Sequence, residues 1–252
     1  MNRELVAIYF MIKRELIRFL RSKSRIIGSL GMPFFLLAIM GTGLNGIIST
    51  PNANGNYLDF IAPGIIAMVL LFGSMFCGVT VIMDRQFGFL KETLVAPIKR
   101  TSIVLGKSLG GAITAIIQGL LILIIALLLG VHLEFSNIIF VIFLMGLISI
   151  TFVALGIALA STMEDMHGFQ LIMNFLLMPM FFLSGALFPL DSAPEILRYI
   201  SYIDPLTYAV EALRYFLIGY SPIPIFISIG ILSAFLVIAV YFAVYLFNRI
   251  EN

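Results

Sequence analysis

MDRQFGFLKETLVAPIKR, Met83–Arg100, is a charge-dense run set between two long apolar stretches. Neither neighbour is suited to water. A charged segment joining two membrane spans has to sit outside the hydrocarbon, at one face. Arg85, Lys91, Lys99 and Arg100 assign that face to the cytoplasm, because inner loops are enriched in Lys and Arg.

Composition points the same way. The 252 residues are 61% hydrophobic and 11% charged, with a mean hydropathy of +1.12. Soluble domains carry about 25% charged residues, so this chain could not cover itself in water. The lone Cys77 excludes an intrachain disulfide and reads as a small buried hydrophobe. Without Trp, an interfacial belt has to be built from Tyr and Phe. No cleavable signal peptide is expected, since the chain opens on a long charged helix.

Working outward from Met83, six apolar runs are long enough to cross a bilayer, which takes about 20 residues. They cover about Ile26–Ile48, Phe60–Met83, Ile103–Gly130, Phe135–Ser161, Gly168–Phe188 and Pro222–Phe247. Before them, in residues 1–24, Leu5, Ile8, Ile12 and Leu16 recur at helical spacing, with Arg14, Arg18 and Arg21 on another face. That pattern predicts an amphipathic helix on the membrane surface, as a lipid anchor, an elbow toward a cytosolic partner, or both. Ser49–Tyr57 reads as an outer loop, and Pro179 as a kink in the fifth span. Lys107, about one turn into the third span, is expected to reach back to the inner headgroups. Residues 189–220 carry Pro189, Pro194 and Pro205 and six charges. The pieces Ala193–Ile203 and Leu206–Leu217 are each too short to cross. They predict two short amphipathic helices forming a re-entrant hairpin in the outer leaflet.

The fold class is therefore an all-α membrane protein of one domain, 1–252, with six transmembrane helices, an interfacial helix at the N-terminus and a helical hairpin before the last span. Charge checks the topology: of 15 basic residues, only Arg198 and Arg214 fall outside on this reading. The asymmetry puts both termini in the cytoplasm.

Several chemistries are disfavoured. Gly106-Lys107-Ser108 resembles the end of a phosphate loop, but position 101 is Thr where that loop needs Gly, and the segment enters a membrane helix. His132 and His167 fall at opposite faces, and Glu164, Asp165 and His167 read as helix capping in a solvated turn rather than a metal site. The middles of the spans hold no ionisable residue, against a proton or ion path. Asn45, Gln118 and Asn174 are the mild polar groups there; Gln118 and Asn174 suit interhelical hydrogen bonds or cargo contact. Basic residues track the membrane, so no nucleic-acid partner is expected.

Two stretches resemble the membrane subunit of type-2 ABC exporters, nearest the daunorubicin-type drug-resistance branch. One is DRQFGFLKETLVAPIKRTSIVLGKSLGG, Asp84–Gly111, where Gln86 stands near a position that often holds Glu. The other is FLSGALFPLDSAPEILRYISYIDPLTYAVEALR, Phe182–Arg214. The resemblance implies a permease without its own ATPase site. It would pair with a second copy or a homologous permease, and with two cytosolic ATPase subunits that bind ATP and Mg. It makes residues 84–102 a coupling loop, with a coupling helix over about Phe89–Ala96 stopped by Pro97. Phe89, Leu90, Lys91, Glu92, Thr93 and Leu94 would meet the ATPase, Leu90 and Leu94 filling a groove and Lys91 and Glu92 pairing with its charges; a solvated loop that only enforces topology is the plainer reading. Phe72, Phe76, Asn174, Met178, Phe181 and Phe182 would line a path between the two copies, although core packing explains the same residues. Asp204, Pro205, Leu206, Thr207 and Tyr208 would cap its outer exit, and Glu211 and Arg214 would pair across one helical turn. The implied activity is export of a hydrophobic small molecule or lipid-like cargo across a prokaryotic plasma membrane. A lipid-linked polysaccharide exporter and a non-transporting sensor or scaffold are the alternatives.

Overall fold

The computed structural model describes residues 3–45, 56–95 and 98–249. Most of the expected outer loop Ser49–Tyr57 and the expected stop at Pro97 lie outside them. Every regular element among the described residues is helical. Helix α1 is Arg3–Arg21. Helix α2 runs as Lys23–Phe35, then a π-helical turn Leu36–Met40, then Gly41–Gly43. Pro33 lies just before the wider turn; it cannot donate the N–H that an α-helix requires there. Helix α3 is Tyr57–Gln86, broken by a tight turn at Phe76–Gly78. The short α4 is Phe89–Val95, and α5 is the long Arg100–Leu128. Then come α6 (Ile138–Ser161), α7 (Met166–Leu183), α8 (Glu195–Ser201), α9 (Pro205–Ile218) and α10 (Ile225–Asn248).

Six of these are long and apolar enough to cross a membrane: α2, α3, α5, α6, α7 and α10. Helix α3 is the hub. From Tyr57 to Leu71 every residue is buried, against α5, α6 and α9. Helices α2 and α10 are mostly exposed, as lipid-facing helices should be. Asn45 lies past the end of α2, where its Oδ1 accepts from the Tyr57 N–H at 3.1 Å. Helix α7 continues through Pro179 to Leu183, five residues short of the expected end of its span.

The connections sort into two ends. At one, Arg85 pairs with Glu164 at 3.2 Å and Arg100 donates to the Asn248 carbonyl at 2.8 Å, tying α3, α5, the α6–α7 turn and the end of α10 together. Asp165 caps α7 there by accepting from the Gly168 N–H at 2.7 Å. At the other end, Asp59 accepts from the His132 N–H at 2.9 Å, and Glu134 N–H donates to the Leu217 carbonyl at 2.9 Å. Helix α9 lies at this hairpin end. Pro205 through Arg214 are all buried, so α9 buries both of its faces rather than presenting a wet one. It closes at Gly219, whose φ of 71° suits the left-handed cap.

Helix α1 does more than rest on a surface. It packs along the first half of α5, where Gly106 and Gly110 let the two backbones approach: a Cβ on Gly106 would meet Met11 Cβ at 2.7 Å, and one on Gly110 would meet Glu15 Cβ at 2.9 Å. The Ser102 hydroxyl donates to Glu4 at 2.5 Å and fixes the N-terminal turn of α1.

Candidate functional site

The basic end holds a buried charge cluster. Lys107 on α5 and Asp84 near the end of α3 meet at 2.5 Å, and they are 2% and 3% exposed. Arg14 also bonds to Asp84, and Arg18 reaches its other oxygen at 3.2 Å. Glu15 lies 3.9 Å from Lys107 and 3.7 Å from Arg18. The expectation that Lys107 would extend to headgroups is therefore corrected. With Asp84 a few ångströms away, pairing inside the bundle avoids leaving a carboxylate alone in a low-dielectric site. Sequence reading missed this arrangement. Its available signal was an acid and a base at the inner ends of consecutive spans, together with Glu15 amid the arginines of α1.

The cluster is continuous with α4, since the Arg14 guanidinium lies 5.8 Å from the Phe89 ring centre. On α4, Phe89 is 52% exposed and Val95 85% exposed, with Phe87 just before the helix also exposed. Leu90 is 3% exposed and belongs to this chain's own core. The expectation that Leu90 would fill a partner's groove is corrected: the rotation of α4 turns Leu90 inward and Phe89 outward. Thr93 spends its hydroxyl on the Phe89 carbonyl, at 2.8 Å. The side chains of Lys91, Glu92 and Leu94 lie outside the described residues, as does the end of the expected coupling helix at Ala96.

Above the cluster is a cavity of about 710 Å³ between α1, α2, α3, α5 and α7. Phe72, Phe76 and Met178 of the expected path line it, together with Met32, Met68, Met83 and Met166. Its polar lining includes Glu15, Thr114, Gln170 and Gln118, and the Gln118 amide donates to the Ser29 hydroxyl at 3.0 Å and so joins α5 to α2. Asn174 and Phe182 lie on the exposed face of α7 alongside Phe175, which is 84% exposed. Phe181 is corrected. It is enclosed in the core and does not line the cavity, because one residue step, about 100° around the helix, turns it away from the open face that holds Phe182.

At the hairpin end, Asp204 caps α9 by accepting from the Leu206 N–H at 2.8 Å. Burial pushes its carboxyl up to about 7. Thr207 donates to the Ser201 carbonyl and Tyr208 to the Tyr202 carbonyl, both at 2.7 Å, so the α8–α9 elbow is closed on itself around Pro205 and Leu206. Arg214 bonds to Glu211, donates to the Gly185 carbonyl at 2.9 Å and covers the Phe60 ring at 4.0 Å. Glu211 also accepts from Ser221 at 2.9 Å.

Comparison with known proteins gives a consistent picture. Residues 6–218 match the family described as ABC-2 type transporter. The chain is 31% identical over 211 residues to ycf38 of Cyanophora paradoxa, whose name places it among transport permeases; the match spans 82% of this chain and 73% of that one. It is 26% identical over 186 residues to the inner membrane transport permease YadH of Escherichia coli K12, spanning 72% and 71%. It is 24% identical over 226 residues to nodulation protein J of Rhizobium leguminosarum bv. trifolii, spanning 89% and 86%.

Proposed function

This chain belongs to the ABC-2 type transporter family as a multi-pass permease subunit, and we propose that it exports a hydrophobic small molecule or lipid-like cargo, driven by ATP. The cavity is the observation that carries the cargo class. Its volume of about 710 Å³ lies within the range of small-molecule sites, about 300–1,000 Å³. Five methionines line it against three phenylalanines. Flexible thioethers accommodate loosely specified apolar molecules. A sugar chain would call for a continuous run of aromatic platforms, so the methionine-rich lining favours apolar cargo over a lipid-linked polysaccharide.

The drive comes from outside the chain. Phe87, Phe89 and Val95 are large apolar groups exposed beside the charged end of α3, where hydrocarbon gives way to water. Such a patch fits a protein partner, and the partner is a pair of cytosolic ATPase subunits that bind ATP and Mg. Helix α4 passes their closure to α3 and α5. The exposed face of α7, with Asn174, Met178 and Phe182, meets a second copy or a homologous permease, and the path runs between them under the α8–α9 elbow. The basic end faces the cytoplasm of a prokaryotic cell, with both termini inside.

The test is reconstitution with the cognate ATPase in proteoliposomes. Apolar amphiphiles should stimulate ATP hydrolysis and be transported. Phe89→Asp or Glu92→Lys should abolish stimulation while the chain still inserts. Unchanged stimulation in both variants would remove the coupling role from α4. Failure to copurify with any ATPase would favour the sensor or scaffold reading.

A further inference from the structure

Between α1 and α2 the chain turns at Ser22, and the turn borders an open concavity of about 730 Å³. Arg14, Arg18, Arg21, Lys23, Ser22 and Ser24 line it, and no carboxylate among the described residues does. Arg14 and Arg18 each commit Nη2 to Asp84, and Arg18 Nη1 also faces Glu15 at 3.7 Å. Arg21 and Lys23 are exposed, and neither has an ion-pair partner among the described residues. The Ser22 hydroxyl makes no capping bond to α2. Arg14 and Arg18 are balanced by Asp84 and Glu15, so Arg21 and Lys23 carry the positive charge that an anion in the hollow would meet, and guanidinium groups with hydroxyls are donors matched to phosphate oxygens.

The hollow also has an apolar side. Ile17 lines it and is exposed, which suits an acyl chain and not a fully hydrated ion. We propose that the α1–α2 elbow is a binding site for the phosphate of an anionic phospholipid. This rests on the reading of α1 as an amphipathic helix at the cytoplasmic membrane face. It differs from general attraction between a basic helix and a charged bilayer because it belongs to one hollow: Arg3 and Lys13 are on α1 but outside it.

The test uses the purified full-length chain in nanodiscs of phosphatidylcholine with a minor share of phosphatidylglycerol. Bound lipid is counted by native mass spectrometry. Phosphatidylglycerol should be enriched around the wild-type chain. Arg21→Gln with Lys23→Gln, both at exposed positions outside the buried cluster, should weaken that enrichment by about fivefold per charge, roughly 25-fold in all. Arg3→Gln with Lys13→Gln should leave it within about twofold, against the same fivefold per charge if attraction were general. Equal loss in both pairs, or loss in neither, would overturn the proposal. Displacement of the lipid by millimolar inorganic phosphate would reassign the hollow to a soluble anion and overturn the lipid source. Lipid counting is independent of transport, so a failure here leaves the export reading standing, and the reverse holds.

Discussion

Lys107 Nζ lies 2.5 Å from Asp84 Oδ2, with both side chains withdrawn from solvent at the root of the loop that joins α3 to α5. Two arginines of α1 converge on the same carboxylate. The carboxylate of Asp84 therefore holds α1, α3 and α5 together at one point.

Removing that anion should be the more damaging change. Asp84→Asn leaves Arg14, Arg18 and Lys107 opposed only by Glu15, and uncompensated buried charge costs about 3–5 kcal/mol. Lys107→Met should cost less, because Arg14 and Arg18 still neutralise Asp84. Thermal unfolding of the detergent-solubilised chain should rank wild type above Lys107→Met, and Lys107→Met above Asp84→Asn. The reverse order would mean that Lys107, not Asp84, organises the cluster.

Docking of α1 on α5 depends on space at Gly110. A Cβ there would sit 2.9 Å from Glu15 Cβ and 3.3 Å from Ile12 Cα, so the α1 backbone would have to move. Gly110→Val should destabilise by about 1–3 kcal/mol through overpacking and make α1 more open to limited proteolysis. Gly146, inside α6, whose added Cβ would meet nothing within 4 Å, serves as the control: Gly146→Ala should not destabilise, a helical Ala being favoured over Gly by about 0.5–1 kcal/mol, and should leave proteolysis of α1 unchanged.

The α8–α9 elbow should report pH. Asp204 lies outside the six spanning helices, and burial raises its carboxyl from an ordinary 3.8 to about 7, only partly opposed by the Leu206 N–H it accepts. An acid raised on folding keeps a proton that the unfolded chain gives up, so stability falls as pH rises from about 4 to about 7 and is level above. Asp204→Asn keeps an acceptor at the cap and removes the charge. Its unfolding free energy should exceed that of wild type at pH 8, by an amount on the order of 4 kcal/mol, with the gap closing toward pH 4. A gap that does not change with pH would show that Asp204 is ionised in the folded state throughout.

Sidedness has a direct readout. A cysteine in place of Asn54, in a Cys77→Ser background, should react with a membrane-impermeant thiol reagent added outside intact cells. Labelling confined to inverted vesicles would turn the chain over and place the basic end outside.

Much of this protein was legible as a string. The apolar runs that became α2, α3, α5, α6, α7 and α10 are recognisable because spanning hydrocarbon requires length and the absence of charge, both one-dimensional properties. Pro194 and Pro205 likewise marked interruptions of the apolar pattern, and α8 and α9 start at Glu195 and Pro205 where Ala193 and Leu206 were expected, because a proline starts a helix more readily than it continues one. Glu211 and Arg214 could be paired by spacing alone, since three residues apart on a helix is a distance in space as well as in sequence.

Tertiary structure decided whatever depends on how a helix is rotated and what stands beside it. Leu90 and Phe89 are adjacent and both apolar, yet one is core and the other surface; Phe181 and Phe182 divide the same way. Hydropathy could not separate them, because in a membrane subunit the faces toward lipid, partner and core are all apolar. Asp84 finds Lys107 23 positions away, and Arg18 and Arg14 66 and 70 positions away. No periodicity encodes those meetings: they exist only once α1 has settled against Gly106 and Gly110 and brought its arginines to the end of α3.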